Sequence, residues 1–311
     1  MVNIILFKNN NLINYEGTVY NYGGEMRGLC KRMKMLILVG LLIIALYVFG
    51  VWQNNSIEIS SFNYSSYDVP SNFNNFTIVH ISDLHNKMFG KEQSNILEKI
   101  EKLSPDIIVV TGDLIDRHRY NLDKAMEFIN GAIEIAPIYY VSGNHEAWSG
   151  KYPEIKNRLI EAGVNIIDDT KLELKRENST IYLLGVSDPS FITSNYIEGT
   201  DISNIEEYLN NWSSIEGFKI LLSHRPELFD IYTKNNINLV FSGHAHGGQI
   251  RIPFIGGIIA PNQGFFPKYT SGSYSSDKIT MFVSRGLGNS LFPVRVFNRP
   301  EIISVTLKGH N

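Results

Sequence analysis

Residues 77–86 read Thr-Ile-Val-His-Ile-Ser-Asp-Leu-His-Asn. The apolar run Ile78-Val-His-Ile81 stops abruptly at Asp83 and His85. This is the pattern of a buried strand whose carboxyl end delivers two polar side chains into a crevice. Residues two apart share a face, so Asp83 and His85 leave the strand end together. A carboxylate beside an imidazole suits a divalent metal. One Asp-x-His triplet arises often by chance, so the rest of the chain has to decide.

The arrangement returns four times. Asp106-Ile-Ile-Val-Val-Thr111 runs into Gly112-Asp-Leu-Ile-Asp116, and Pro137-Ile-Tyr-Tyr-Val-Ser142 into Gly143-Asn-His-Glu146. Later come Leu222-Ser-His-Arg-Pro226 and Phe241-Ser-Gly-His-Ala-His-Gly-Gly-Gln249. Helical spacing of apolar residues fills the gaps at Gln93–Leu103, Leu122–Ile133 and Tyr152–Ala162. The second half is richer in strand: a hairpin from Leu172–Lys175 and Thr180–Val186, then Phe218–Ser223, Leu239–Ser242, Ile279–Ser284 and Ile302–Leu307, with a short helix at Ile205–Trp212. The pattern predicts an α/β fold, a four-layer sandwich of two mixed sheets flanked by helices.

In such a sheet the carboxyl ends of the strands line the ligand crevice, so the five polar fragments converge. A lone metal takes three or four protein ligands. Asp83, His85, Asp113, Asn144, His224, His244 and His246 make seven, enough for two ions if Asp113 bridges them. Gly112, Gly143 and Gly243 each precede a ligand, where the chain must turn without a Cβ in the way. His80, in mid-strand, reads as a packed core histidine, Asp188 as a turn residue before Pro189, and Asp116 as a helix cap, a loop staple or a support for a ligand. Arg225 suits phosphate contact and a surface ion pair equally.

Asp-x-His, Gly-Asp-x-x-Asp, Gly-Asn-His-Glu, a later His and Gly-His-x-His, in that order, resemble the calcineurin-like metallophosphoesterases. The pieces Gly-His-Ala-His-Gly-Gly-Gln and Ala-Pro-Asn-Gln-Gly (260–264) are similar to its membrane-anchored bacterial branch. The resemblance implies the metallo-dependent phosphatase fold and two divalent ions, drawn from Mn, Fe or Zn. It implies that Asp83, His85 and His246 hold one ion, that Asn144, His224 and His244 hold the other, and that Asp113 bridges them. His145 would protonate the leaving oxygen. The expected substrate is a phosphodiester or pyrophosphate, lipid- or nucleotide-linked. A phosphomonoesterase or protein phosphatase stands as the alternative within the enzymes, and a non-catalytic metal-dependent scaffold outside them.

The chain has 311 residues and a formal charge of −3, which argues against a basic nucleic-acid surface. Its one cysteine, Cys30, forbids an internal disulfide. Residues 1–34 read as a basic cytoplasmic leader, with Arg27, Lys31, Arg32 and Lys34 crowding its end. Residues 35–52 are apolar throughout, close to the roughly 20 needed to cross a bilayer. No Lys or Arg follows until Lys87, so the positive-inside rule puts the remainder outside the cell membrane. The competing signal-peptide reading is opposed by the length of the run and by the lack of an Ala-x-Ala-like site. Residues 53–76 read as a tether and an edge strand, and 77–311 as the catalytic domain. Arg251, Lys268, Arg285 and Arg295 are candidates to hold phosphate. Gln249–Phe266 is apolar, with core packing set slightly ahead of an acyl-chain site or contact with the bilayer. Oligomeric state leaves no signature.

Overall fold

The structure, a computed structural model, describes residues 6–8, 11–13, 19–20, 22–193, 201–289 and 294–309. It divides into two units, 1–52 and 53–311. The first holds three short antiparallel strands, Leu6–Lys8, Asn11–Ile13 and Val19–Tyr20, and most of the helix Tyr22–Asn55. Gly28–Asn55 is long and apolar enough to cross a membrane. Its Leu36, Ile43 and Tyr47 side chains are exposed, as on a helix with no polar face and no core to join. The leader reading of 1–34 anticipated neither the strands nor a helix beginning at Tyr22. Strands of two or three residues are too short to show a period. The remainder of that leader, 1–5, 9–10, 14–18 and 21, lies outside the described residues.

The second unit is built on two six-stranded mixed sheets. In the first, the order is Glu58–Ser66, Glu301–Gly309, Thr77–Ile81, Ile107–Thr111, Ile138–Val141, Asn165–Ile166. The last four run parallel, and Glu301–Gly309 is antiparallel to Thr77–Ile81. In the second, the order is Gly272–Ser276, Ile279–Val283, Leu239–Ser242, Phe218–Leu222, Ser179–Gly185, Thr170–Arg176. Its middle four strands are parallel and its edges antiparallel.

Strand alternation explains the layers. Ile78, Val109 and Val141 point into the core between the sheets, where they meet Ile220, Leu222 and Phe241. Val79, Ile81, Ile108 and Val110 point the other way, onto the helices Ser94–Lys102, Leu122–Ile133 and Tyr152–Glu161. Leu221, Val240 and Met281 face Ile205, Leu209 and Trp212 of the helix Ser203–Ser213. Central strands buried on both faces must be apolar throughout, which is why they read as unbroken runs. His80 is the exception: it is buried, its Nε2 lies 2.8 Å from Thr111 Oγ1, and burial lowers its pKa to about 3.

The four-layer sandwich is the one expected. Two edge strands, Asn165–Ile166 and Gly272–Ser276, were not anticipated, because an edge strand needs no apolar face. Of 53–76, read as a tether and an edge strand, Glu58–Ser66 is an edge strand of the first sheet, and the residues before it are folded into the unit rather than forming a tether. Gln53 is buried and its Oε1 accepts the Asn298 amide; the Asn54 carbonyl accepts from Lys87, and Arg299 donates to the Ser56 carbonyl.

Candidate metal centre

All five polar fragments lie where the parallel strands of both sheets end. The ladder of the first sheet continues past its strands: Asp83 N donates to Gly112 O, His85 N to Asp113 O, and Asn86 N to Leu114 O. Across the sheets, the His244 amide donates to the Asp83 carboxylate at 3.1 Å. Asp83, His85, Asp113, His244 and His246 all sit at φ between 47° and 63°. Non-glycine residues adopt that left-handed conformation at a cost, and such strain persists only where the surroundings enforce it. Gly243 belongs to the enforcement. A Cβ there would lie 1.8 Å from Ser82 Oγ and 2.5 Å from Asp83 Oδ2. Its role is close approach, whereas Gly112, at φ 82°, supplies the turn anticipated for it.

The seven expected ligands are each no more than 5 % exposed. Their donor atoms form two groups. His85 Nε2 and His246 Nε2 are 3.1 Å apart, with Asp83 Oδ1 3.4 Å from the latter and Asp113 Oδ2 3.6 Å from the former. In the second group, His224 Nε2 lies 3.1 Å from His244 Nδ1, 3.0 Å from Asn144 Oδ1 and 3.3 Å from Asp113 Oδ2. Asp113 Oδ2 thus belongs to both groups.

The spacing is diagnostic. Donors at about 2.0–2.2 Å from a common ion stand roughly 3.0–3.5 Å from one another, the edge of a tetrahedron or octahedron. Two imidazole nitrogens and two carboxylate oxygens at such separations cannot all be satisfied by each other's protons. The donor set therefore fits two cations that share Asp113, and its mixed nitrogen and oxygen character does not select the metal. The second nitrogens of His224 and His244 support the same orientation. His224 Nδ1 is 2.7 Å from the Thr111 carbonyl, which places its proton there and leaves Nε2 free for the cluster. His244 Nε2 is 3.0 Å from Asn262 Oδ1, which leaves Nδ1 for the cluster.

Electrostatics follow the burial. It pushes the Asp83 carboxyl up to about 6 and the His85 and His246 imidazoles down, the last to about 3. Burial also opposes charge on Asp113 and His224, but each faces the other. Asp113 is held well below the usual carboxylate range, and His224 is lifted to about 10.

His145 sits beside the first group, its ring 4.4 Å from that of His85. Its Nδ1 accepts the Arg117 amide at 3.1 Å, so the neutral ring carries its proton on Nε2. Asp116 lies 3.9 Å from that Nδ1 and binds Arg119 and the His118 amide: it staples the loop rather than meeting Asp113 or His85.

Three residues of the site do more than the sequence suggests. Glu146 is buried and accepts the amides of Gly143, Asp113, Leu114 and Ile115, tying two ligand loops together. Its place three residues into the short helix after Gly143 was the available signal. Arg225 and Asp188 form a buried bidentate pair at 2.6 and 2.9 Å, where a turn residue and a surface pair were among the expectations. Arg225 Nη1 also lies 3.1 Å from His244 Nε2 and donates to Asn262 Oδ1 at 2.8 Å. Asn262 is the middle of Ala-Pro-Asn-Gln-Gly.

The other arginine candidates are engaged in holding loops. Arg295 is buried against the carbonyls of Arg285 and Gly288, Arg285 binds Glu301, and Arg251 donates to the Gly247 carbonyl. Lys268 lies over the Tyr269 ring. The Gln249–Phe266 stretch is not core: Phe254, Ile255, Phe265 and Phe266 are exposed.

The profile described as calcineurin-like phosphoesterase matches residues 76–248. The metallophosphoesterase YkuE of Bacillus subtilis (strain 168) is 32 % identical over 267 residues, 83 % of this chain and 88 % of that one. A transmembrane protein with metallophosphoesterase domain from Danio rerio is 28 % identical over 77 % of this chain and 55 % of its own length. Phosphodiesterase YaeI of Escherichia coli (strain K12) is 26 % identical over 75 % of this chain and 82 % of its own length.

Proposed function

The chain belongs to the calcineurin-like phosphoesterase family and is a metal-dependent phosphoester hydrolase, and from that premise we propose that it cleaves a phosphodiester or pyrophosphate at the outer face of a cytoplasmic membrane. The observation that carries the reading is the shared oxygen, Asp113 Oδ2, common to both donor groups. Asp83, His85 and His246 would hold one ion, and Asn144, His224 and His244 the other. Bound there, two divalent cations supply Lewis acidity and a water acidic enough to attack phosphorus near neutral pH.

The chain's own residues do the rest. Glu146 fixes the loops that present Asp113 and Asn144. Asp188 holds the Arg225 guanidinium in one orientation, with its Nη1 at His244. A cation placed there can take a non-bridging phosphate oxygen in exchange for Asn262. His145 keeps a proton on Nε2 for the departing oxygen. The diester preference is supported by the likeness to a phosphodiesterase. The membrane placement is supported by the apolar helix and by the basic residues before it.

Parallel assays of bis(p-nitrophenyl) phosphate and p-nitrophenyl phosphate with Mn, Fe or Zn test the reading. Faster diester cleavage, abolished by Asp113→Ala, is expected. Monoester preference would favour the phosphomonoesterase alternative, and no turnover with either would favour the scaffold.

A further inference from the structure

The segment that follows His246 makes two small hairpins, Arg251–Ile252 with Gly256–Gly257 and Ile259–Ala260 with Gly264–Phe265. The first hairpin's turn carries Phe254 and Ile255, and Phe265 and Phe266 lie at the open end of the second, away from its Pro-Asn-Gln turn; all four are exposed. Phe254 is 109 % exposed, Phe265 73 % and Phe266 69 %. Neither turn geometry nor packing asks for these residues. Phe254 and Phe266 hold φ of 70° and 51°, where glycine or asparagine is the ordinary choice. A bulky apolar side chain at a strained and fully exposed turn needs another reason to be there.

Two further observations point to the occupant. The first is connectivity. The parallel bridge Ile250–Val296 and the Arg251 amide on the Val296 carbonyl join the hairpins to the loop that carries exposed Phe297. That loop grips the start of the catalytic unit: the Asn298 amide donates to Gln53, the Arg295 amide to Asn54, and Arg299 to Ser56. In sequence, Gln53 directly follows the apolar run that ends at Trp52, so the residues this loop holds are the first ones after the proposed membrane span. The second is charge. Between Ala245 and Ser276 the sequence has no Asp or Glu, while Arg251 and Lys268 are present; Arg299, nearby, is paired with Glu58. Exposed apolar side chains beside cations, with no acidic residue among them in the sequence, are the composition that enters an anionic headgroup layer.

We infer that the two hairpins are a membrane-docking surface, with Phe254, Ile255, Phe265 and Phe266 seated in the lipid bilayer. Asn262, in the second hairpin's turn, touches both His244 and Arg225. The docked hairpins therefore set the rim of the metal centre at headgroup depth, where a phosphoester belonging to a lipid would lie. The inference rests on the membrane-helix part of the proposed function and is independent of catalysis.

The test uses the full chain carrying Cys30→Ser, reconstituted in vesicles of equal parts phosphatidylglycerol and phosphatidylethanolamine. Single cysteines at Phe254→Cys, Phe265→Cys and Glu177→Cys carry an environment-sensitive fluorophore. Glu177 is exposed in the hairpin turn before Ser179, at the opposite end of that strand from the site. The labels at 254 and 265 should be blue-shifted and quenched several-fold more by lipid-borne nitroxide than by aqueous iodide, and the label at 177 the reverse. Iodide quenching equal at all three positions would overturn the inference. So would shielding from both quenchers, which would mean a protein partner or a second copy covers these residues. Loss of all phosphoester hydrolysis with the labels still in lipid would sink the proposed reaction and leave the docking intact.

Discussion

The ligand loops and the two hairpins that follow them lie side by side in sequence, yet they are stabilised in opposite ways. In the ligand loops the seven ligand side chains are buried and held by a network of hydrogen bonds. Asp83 is gripped by the His244 amide, Asp113 by its facing histidines and by its Oδ1 on the His145 amide, and the Asp113 and Gly143 loops are tied together by Glu146. In the hairpins the largest side chains touch little of the protein. Strain in the first region is matched by a dense network; strain at Phe254 is matched by nothing in the chain. The comparison teaches that unusual backbone has to be traced to what compensates it, and that in the hairpins the compensation lies outside the polypeptide.

Substitutions should separate the regions cleanly, and the order of their effects is a way to break the contrast. Asp113→Ala removes the oxygen common to both donor groups, so kcat/KM should fall by at least about 10³-fold. Metal content by plasma emission should drop with it. His145→Ala should lower kcat by about 10²–10⁴-fold while the same metal analysis stays at the wild-type value, because the ring is not a ligand. Glu146→Gln keeps the shape but exchanges an acceptor oxygen for a donor facing backbone amides. Metal affinity, read by competition with a chelating dye, should weaken by about 10–100-fold. Gly243→Ala drives a methyl into Ser82 and Asp83, and should cost about 1–3 kcal/mol in denaturant titration, with turnover lost beyond what stability explains. Phe254→Ser should change stability in detergent by less than about 0.5 kcal/mol. A large loss there would place the hairpin tip in the core after all and erase the contrast.

How much of this was legible in the sequence follows the same division. The parallel strands declared themselves because both faces are buried, so Ile107–Thr111 and Phe218–Leu222 read as continuous apolar runs. The ligands declared themselves because a polar residue that closes a buried run is costly unless something pairs with it. Glu146 and the Arg225–Asp188 pair were harder, since a buried carboxylate that holds amides has the same letter as one on the surface. The hairpins were the least legible. An apolar segment rich in glycine and proline has the composition of packed core, and only exposure distinguishes the two. Residues 53–76 read as a tether and an edge strand, and the tether part misled because the anchors of 53–56, Lys87, Asn298 and Arg299, lie far away in sequence.

The central claim, two cations bridged by Asp113, is tested most directly by anomalous diffraction at the Mn edge from Mn-loaded crystals. The account predicts two peaks about 3.5–4 Å apart, one beside His85 and His246, the other beside His224 and His244, with an Asp113 oxygen between them. A lone peak, or a pair that leaves Asp113 bound to neither, would contradict it.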